Sequence, residues 1–124
     1  MTLQIRKQAD YVLVYGNGLA TLAEAQQHFR DLSSLLVLER RSVQGVRLLI
    51  DLRAAAAHPP EVAAHIERVL PVLYRANDRV AVVVRDTGRK IETKSSHDPK
   101  YSDVFLSKEA AEAYLQAQPC RPVA

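Results

Sequence analysis

The chain has no tryptophan, one methionine, one cysteine and four glycines in 124 residues. The lone Cys120 excludes an internal disulfide framework and any multi-cysteine zinc or iron–sulfur site. A reducing, cytoplasmic compartment fits that usage. No apolar run approaches the roughly 20 residues of a membrane-spanning helix, so no membrane span is expected. The first ten residues, from Met1 to Asp10, hold no apolar core of a secretory signal, and none is expected. Charge of one sign is not concentrated either. Seventeen Lys and Arg face fourteen Asp and Glu, for a net charge of +3, and they are spread along the chain. Without a basic stripe or interleaved aromatic residues, nucleic-acid binding is not expected. Internal repeats and interdomain linkers are missing.

What is present is ordinary globular material. Hydrophobic residues make up 48% and charged residues 25%, enough to build a core without metals or disulfides. The length suits one domain. That domain is expected over residues 1–118, with 119–124, which carry Pro119 and Pro122, as a flexible tail.

Periodicity supplies the elements. Leu3 and Ile5 alternate with Gln4 and Arg6, the pattern of a half-buried strand. Residues 11–15, Tyr-Val-Leu-Val-Tyr, read as a second strand, and so short a connection forces an antiparallel hairpin. Gly16-Asn17-Gly18 ends it with residues that tolerate positive φ. Thr21 and Glu24 form a capping box. They open a helix that is expected to run to about Arg41, with Leu22, Ala25, Phe29, Leu32 and Leu36 inward. Arg40 and Arg41 would suit the negative end of its dipole, and Gly45 would stop it. Residues 46–52 and 79–85 are nearly continuous apolar strands, as expected when both faces are covered. Between them Pro60 opens a helix whose stripe is Val62, Ile66, Val69, Leu70 and Leu73, with Pro71 opposite it. Residues 86–102 are polar and are expected to be a mobile connection with one helical turn near Arg89 to Lys94. Val104-Phe105 is a minimal strand. Ser107 caps a last helix, with Leu106 and Ala111 as a hydrophobic staple.

The order β-β-α-β-α-β-(α)-β-α implies an α/β domain. Its mixed sheet has about five strands with an N-terminal hairpin near one edge, and three to four helices. Val80 to Val84 are expected at its centre, with Phe29, Leu32, Leu49, Ile66 and Val82 in the core.

Four stretches carry a family resemblance. They are Tyr15-Gly16 through Thr21 to Glu24, the run Arg47 to Asp51, the run Arg79 to Val83, and the ending from Val104-Phe105 through Glu109 to Leu115. In that order and spacing the chain resembles the STAS fold of sulfate-transporter and anti-sigma-antagonist domains. It is most similar to the SpoIIAA-like group of small bacterial proteins, also described as STAS/SEC14-type domains. The resemblance implies a single SpoIIAA-like domain that acts as a non-enzymatic binding or regulatory module. Phosphorylatable antagonists of this fold carry an Asp-Ser-Ser-Gly type motif after the third strand. Here that place holds Ala54 to Ala57, His58, Pro59, Pro60 and Glu61, with no hydroxyl to modify. The SEC14 side of the resemblance implies a carrier of a lipid or apolar small molecule. A small enzyme with groups assembled in space, using His58 and Asp51, is the remaining alternative.

No catalytic or metal-binding motif is readable. His28, His58, His65 and His97 lack metal spacing and read as surface or loop histidines. Ser96-His97 has no third partner in sequence. Gly16-Asn17-Gly18 lacks the Lys-Ser/Thr of a phosphate loop. Neither cofactor nor metal is expected. The site argument is geometric, because ligands of open α/β sheets bind beyond the carboxyl ends of parallel strands. Asn17, Asp51, Arg53, His58, Arg85 and Arg89 gather there as an anion-binding set, centred on Arg53. The ordinary alternative is that Arg53 and Arg85 only pair with Asp51 and Asp86. The expected partners are a protein or a small anionic or apolar ligand, and a homodimer is open to the chain.

Overall fold

In the structure, a computed structural model, residues 3–43, 45–95 and 97–117 are described. The expected tail at 119–124, with Cys120, lies outside them, as does Ser96. The strands are β1 (Leu3–Lys7), β2 (Val12–Gly16), β3 (Arg47–Asp51), β4 (Arg79–Val83) and β5 (Ser102–Phe105). The helices are α1 (Leu22–Glu39), α2 (Pro60–Leu73), α3 (Thr87–Ser95) and α4 (Lys108–Gln116).

The sheet runs β1-β2-β3-β4-β5. β1 pairs antiparallel with β2 (Ile5 opposite Val14), and every later pair is parallel. The hairpin thus lies at one edge, as its length dictates. The middle strand is β3, not β4: the valine run of β4 is buried on both faces but stands one strand off centre. A continuous apolar run reports two covered faces, and two neighbouring strands can both meet that condition.

Alternation sorts the residues of these strands between two cores. Val12, Val14, Leu48, Ile50, Val80 and Val82 face α1 and α2, packing on Leu32, Leu36, Leu70 and Leu73. Leu49, Ala81 and Val83 face α4 through Ala111 and Leu115. Burying each large side chain contributes about 1.5–3 kcal/mol, so the two-sided strands β3 and β4 dominate the packing.

Caps and breakers set the helix limits. Thr21 Oγ1 accepts the Glu24 N–H at 3.1 Å, and Glu24 Oε1 accepts the Ala20 N–H at 3.2 Å. Pro60 is the first residue of α2, and Pro71 faces solvent inside it. Ser107 Oγ accepts the Ala110 N–H at 3.1 Å to open α4; Leu106, its expected staple partner, stays exposed.

Three expectations need correction. α1 ends at Glu39, and Arg40 does not serve the helix dipole. Its guanidinium donates to the Leu73 carbonyl at 3.0 Å and pairs with the buried Asp78, whose carboxylate also accepts the N–H groups of Val46 and Arg75. Gly45 is needed for a close approach rather than a stop, since a Cβ there would stand 1.8 Å from the Asn77 carbonyl oxygen. The helical part of residues 86–102 is longer than the single turn near Arg89 to Lys94: α3 spans nine residues. Asp86 makes the difference, because its Oδ1 accepts the Arg89 N–H at 2.8 Å in the manner of an N-cap.

Candidate functional site

A cavity of about 290 Å³ opens over the sheet face that carries α1 and α2. Its floor is apolar, formed by Val14, Ile50, Val82 and Val84. One wall is α2, where Ala63, Ile66, Glu67, Leu70 and the C-cap Tyr74 follow at helical spacing. The other wall is α3 and the residues just after it, with Arg89, Glu92, Thr93 and His97. The one large apolar residue of α3, Ile91, points to solvent, so this helix turns its polar side inward. Phe29 and Ile66, expected in the core, are half-buried because they line this space.

Both helices begin at the carboxyl edge of the parallel strands, which gives the cavity two ends. His58 before α2, Arg85 after β4 and Arg89 in the first turn of α3 lie at that edge. Tyr74 and His97, at the far ends of α2 and α3, lie at the other. Between Ala63 and Tyr74 the α2 wall is about 16 Å long at 1.5 Å per residue.

Polar atoms without partners are concentrated here. His28 Nδ1, His58 Nε2 and Tyr74 Oη are buried and have no hydrogen-bond partner among the described residues, and all three residues line the cavity. His28 is 7% exposed and Tyr74 6%. A buried polar group left unpaired costs about 1–3 kcal/mol, so such groups are uncommon in a packed interior. Burial pushes His28 down to about 4, opposed by Asp31 and assisted by the charge of His58. His58 is lowered by burial and by the neighbouring Arg89 charge. His97 is lowered by burial. Its Nδ1 lies 2.9 Å from the Thr93 carbonyl and must donate to it, which leaves Nε2 as the acceptor. Burial raises the Tyr74 phenol far above its ordinary value. The cavity is thus lined by neutral imidazoles and a neutral phenol near pH 7.

The residues expected to bind an anion fall into two groups. His58, Arg85 and Arg89 line the cavity; Asn17, Asp51 and Arg53 do not. Asn17 is exposed, and its carbonyl accepts the Ala56 N–H at 3.1 Å, tying the two loops of that edge together. Arg53 is taken by Asp51: its Nε and a terminal nitrogen donate to the two carboxylate oxygens at 3.0 and 2.8 Å. This holds the Asp51 carboxyl below the ordinary carboxylate value. Arg85 meets Asp86 only at 3.7 Å. Arg89 forms no ion pair among the described residues.

Sequence reading missed His28, which is buried and not on the surface. The signal was present: residue 28 lies three after Ala25 and four before Leu32, on the inward stripe of α1. Tyr74 carried no such signal, because its place depends on where α2 ends. Among the described residues, no three His, Cys, Asp or Glu side chains are placed to hold a metal ion. No described helix is long and apolar enough to cross a membrane.

No family model matches the chain, and no curated protein matches it. Solved structures do. A DUF3478-family protein with a SpoIIAA-like fold from Shewanella loihica PV-4 is similar over 92% of each chain, with 19% identity and a TM-score of 0.67. The anti-sigma factor antagonist SpoIIAA, in its unphosphorylated form, is similar over 94% of this chain and 97% of its own, with 9% identity and a TM-score of 0.62. The chain has the SpoIIAA-like, STAS-type fold.

Proposed function

We propose that this chain is a non-enzymatic binding module that takes one small, largely apolar molecule into the cavity between α2 and α3. The observation that carries the reading is a cavity with an apolar floor whose lining includes three residues with unpartnered buried polar atoms. Ligand sites are typically apolar clefts with a few convergent polar groups, and three of the four unpartnered buried polar atoms among the described residues belong to residues that line this one cavity, the fourth being Arg40 Nε. The size sets the cargo. About 290 Å³ is about twice the roughly 150 Å³ cavity that takes up benzene, so about a dozen non-hydrogen atoms fit.

The same atoms weigh against catalysis. An enzyme built on His58 and Asp51 needs the two to meet, yet His58 Nε2 has no partner and Asp51 is held by Arg53. A switch that works by phosphorylation at the start of α2 is also disfavoured, since residues 53–61 carry no hydroxyl.

Native mass spectrometry of the protein purified from bacterial cells tests the reading. One added small-molecule mass per chain, absent from an Ala63→Trp variant that fills the cavity, is the expected result. A bare chain or a bare dimer in the unaltered protein contradicts it and favours a protein-interaction module.

A further inference from the structure

We infer that the cavity's ligand is a monocarboxylic acid, held with its carboxylate between Arg89 and Arg85 beside His58 and its apolar body lying along α2 toward Tyr74. This rests on the cavity being a ligand site and goes on to name the ligand's class and direction. The two ends of the cavity differ in charge. Arg85 and Arg89 stand at the end near the carboxyl edge. The acidic lining residues, Glu67 and Glu92, are exposed and lie partway along α2 and α3, and no charged residue lines the far end at Tyr74 and His97, so an anionic group is drawn to the arginine end.

Arg89 is half-buried and forms no ion pair among the described residues. Arg85 is barely engaged, because Asp86 is committed to capping α3. Arginine's planar fork matches a carboxylate, and such charge-assisted bonds are roughly twice as strong as neutral ones. Behind them His58 Nε2 and His28 Nδ1 offer further partners without charge. At the far end the buried Tyr74 Oη has none, so a ligand with a hydroxyl or keto oxygen on its tail would satisfy it. A space that follows about 16 Å of helix with a volume of only about 290 Å³ is long and narrow, which favours a linear body over a fused-ring one. Decanoate, with twelve non-hydrogen atoms, is a suitable probe.

Titration calorimetry with decanoate, decanol and decyltrimethylammonium, on the unaltered protein and on Arg89→Gln, tests this. Decanoate and decanol should both bind, and the cation should bind at least about tenfold more weakly than decanoate. Arg89→Gln should weaken decanoate about tenfold and leave decanol unchanged. Arg85→Gln should act in the same direction with a smaller effect, which guards against a defect peculiar to α3. Decanoate and decanol weakened equally by Arg89→Gln, or neither weakened by either variant, would overturn the carboxylate assignment and leave the apolar site standing. Binding of none of the three probes to the unaltered protein would bring down the site itself.

Discussion

Two corners of this sheet begin from nearly the same sequence signal and end differently. At the end of β3 stand Asp51 and, two residues on, Arg53; after β4 stand Arg85 and Asp86. At the first corner the carboxylate turns back on the arginine, with two side-chain bonds of 3.0 and 2.8 Å and a third from the Arg53 N–H at 3.1 Å. At the second the carboxylate is used to start a helix, with its Oδ1 on the Arg89 N–H. Asp86 Oδ1 is engaged at the head of α3 while its Oδ2 stands 3.7 Å from Arg85 Nε, so Arg85 is only loosely paired, and Arg89 has no ion-pair partner among the described residues. An acid next to an arginine therefore does not make a closed pair when the acid also sits at a helix N-terminus. The contrast extends inward. Asp78 accepts from Arg40, Val46 and Arg75, with only Arg40 Nε left over in that cluster, while His28 Nδ1, His58 Nε2 and Tyr74 Oη have no partner among the described residues.

The closed network should be the most costly to break. Asp78→Ala leaves the Arg40 charge and two N–H groups unpaired in the interior and should cost about 3–5 kcal/mol, read as a lower midpoint in urea unfolding. A loss under about 1 kcal/mol would mean that the network is ornamental.

Next comes pH. His28 titrates near 6.5 when unfolded and near 4 when folded. Between those values the unfolded chain binds more protons, so stability is full above about pH 6.5 and falls as pH drops toward 4. At about 1.4 kcal/mol per pKa unit, the loss from this residue is about 3 kcal/mol. Asp31 and His58 act on it from α1 and from the loop before α2. The expected result is a flatter stability profile from pH 7 to 4 in His28→Leu than in the parent; superimposable slopes would refute the buried, neutral state.

Tyr74→Phe removes an unpartnered hydroxyl and should stabilise the ligand-free protein by about 1 kcal/mol, whereas a hydroxyl with a hidden partner would make the same change destabilising. The smallest effect belongs to Arg53→Ala. An exposed pair contributes about 1 kcal/mol at most, and decanoate affinity should stay the same, because the Asp51–Arg53 corner lies off the cavity. Weaker decanoate binding in that variant would return the anion site to Arg53.

Much of the architecture was legible because it rests on short-range signals. The capping box at Thr21 and Glu24, Pro60 at the head of α2 and the apolar runs of β3 and β4 each state an element locally. α3 was underestimated because Gly88 and four charged residues hide a helix whose start depends on one capping bond from Asp86. The site was half legible. The topological rule named His58, Arg85 and Arg89, which line the cavity, together with Asn17, Asp51 and Arg53, which do not. Which arginine would be free depended on side-chain geometry at Asp51 and Asp86, which no spacing encodes. His28 was readable on its helical stripe but looked like a surface residue by type. Tyr74 entered only through the packing of α2 on the sheet.

The central claim is where a ligand goes. Amide NMR shifts of the ¹⁵N-labelled protein during a decanoate titration test it most directly. The account predicts saturable shifts at Ala55 to His58, along Ala63 to Leu70 and from Arg85 to Thr93, with Leu49, Ala81, Ala111 and Leu115 on the α4 face unmoved. Shifts confined to the α4 face or to Asp51 and Arg53, or none at millimolar decanoate, would contradict it.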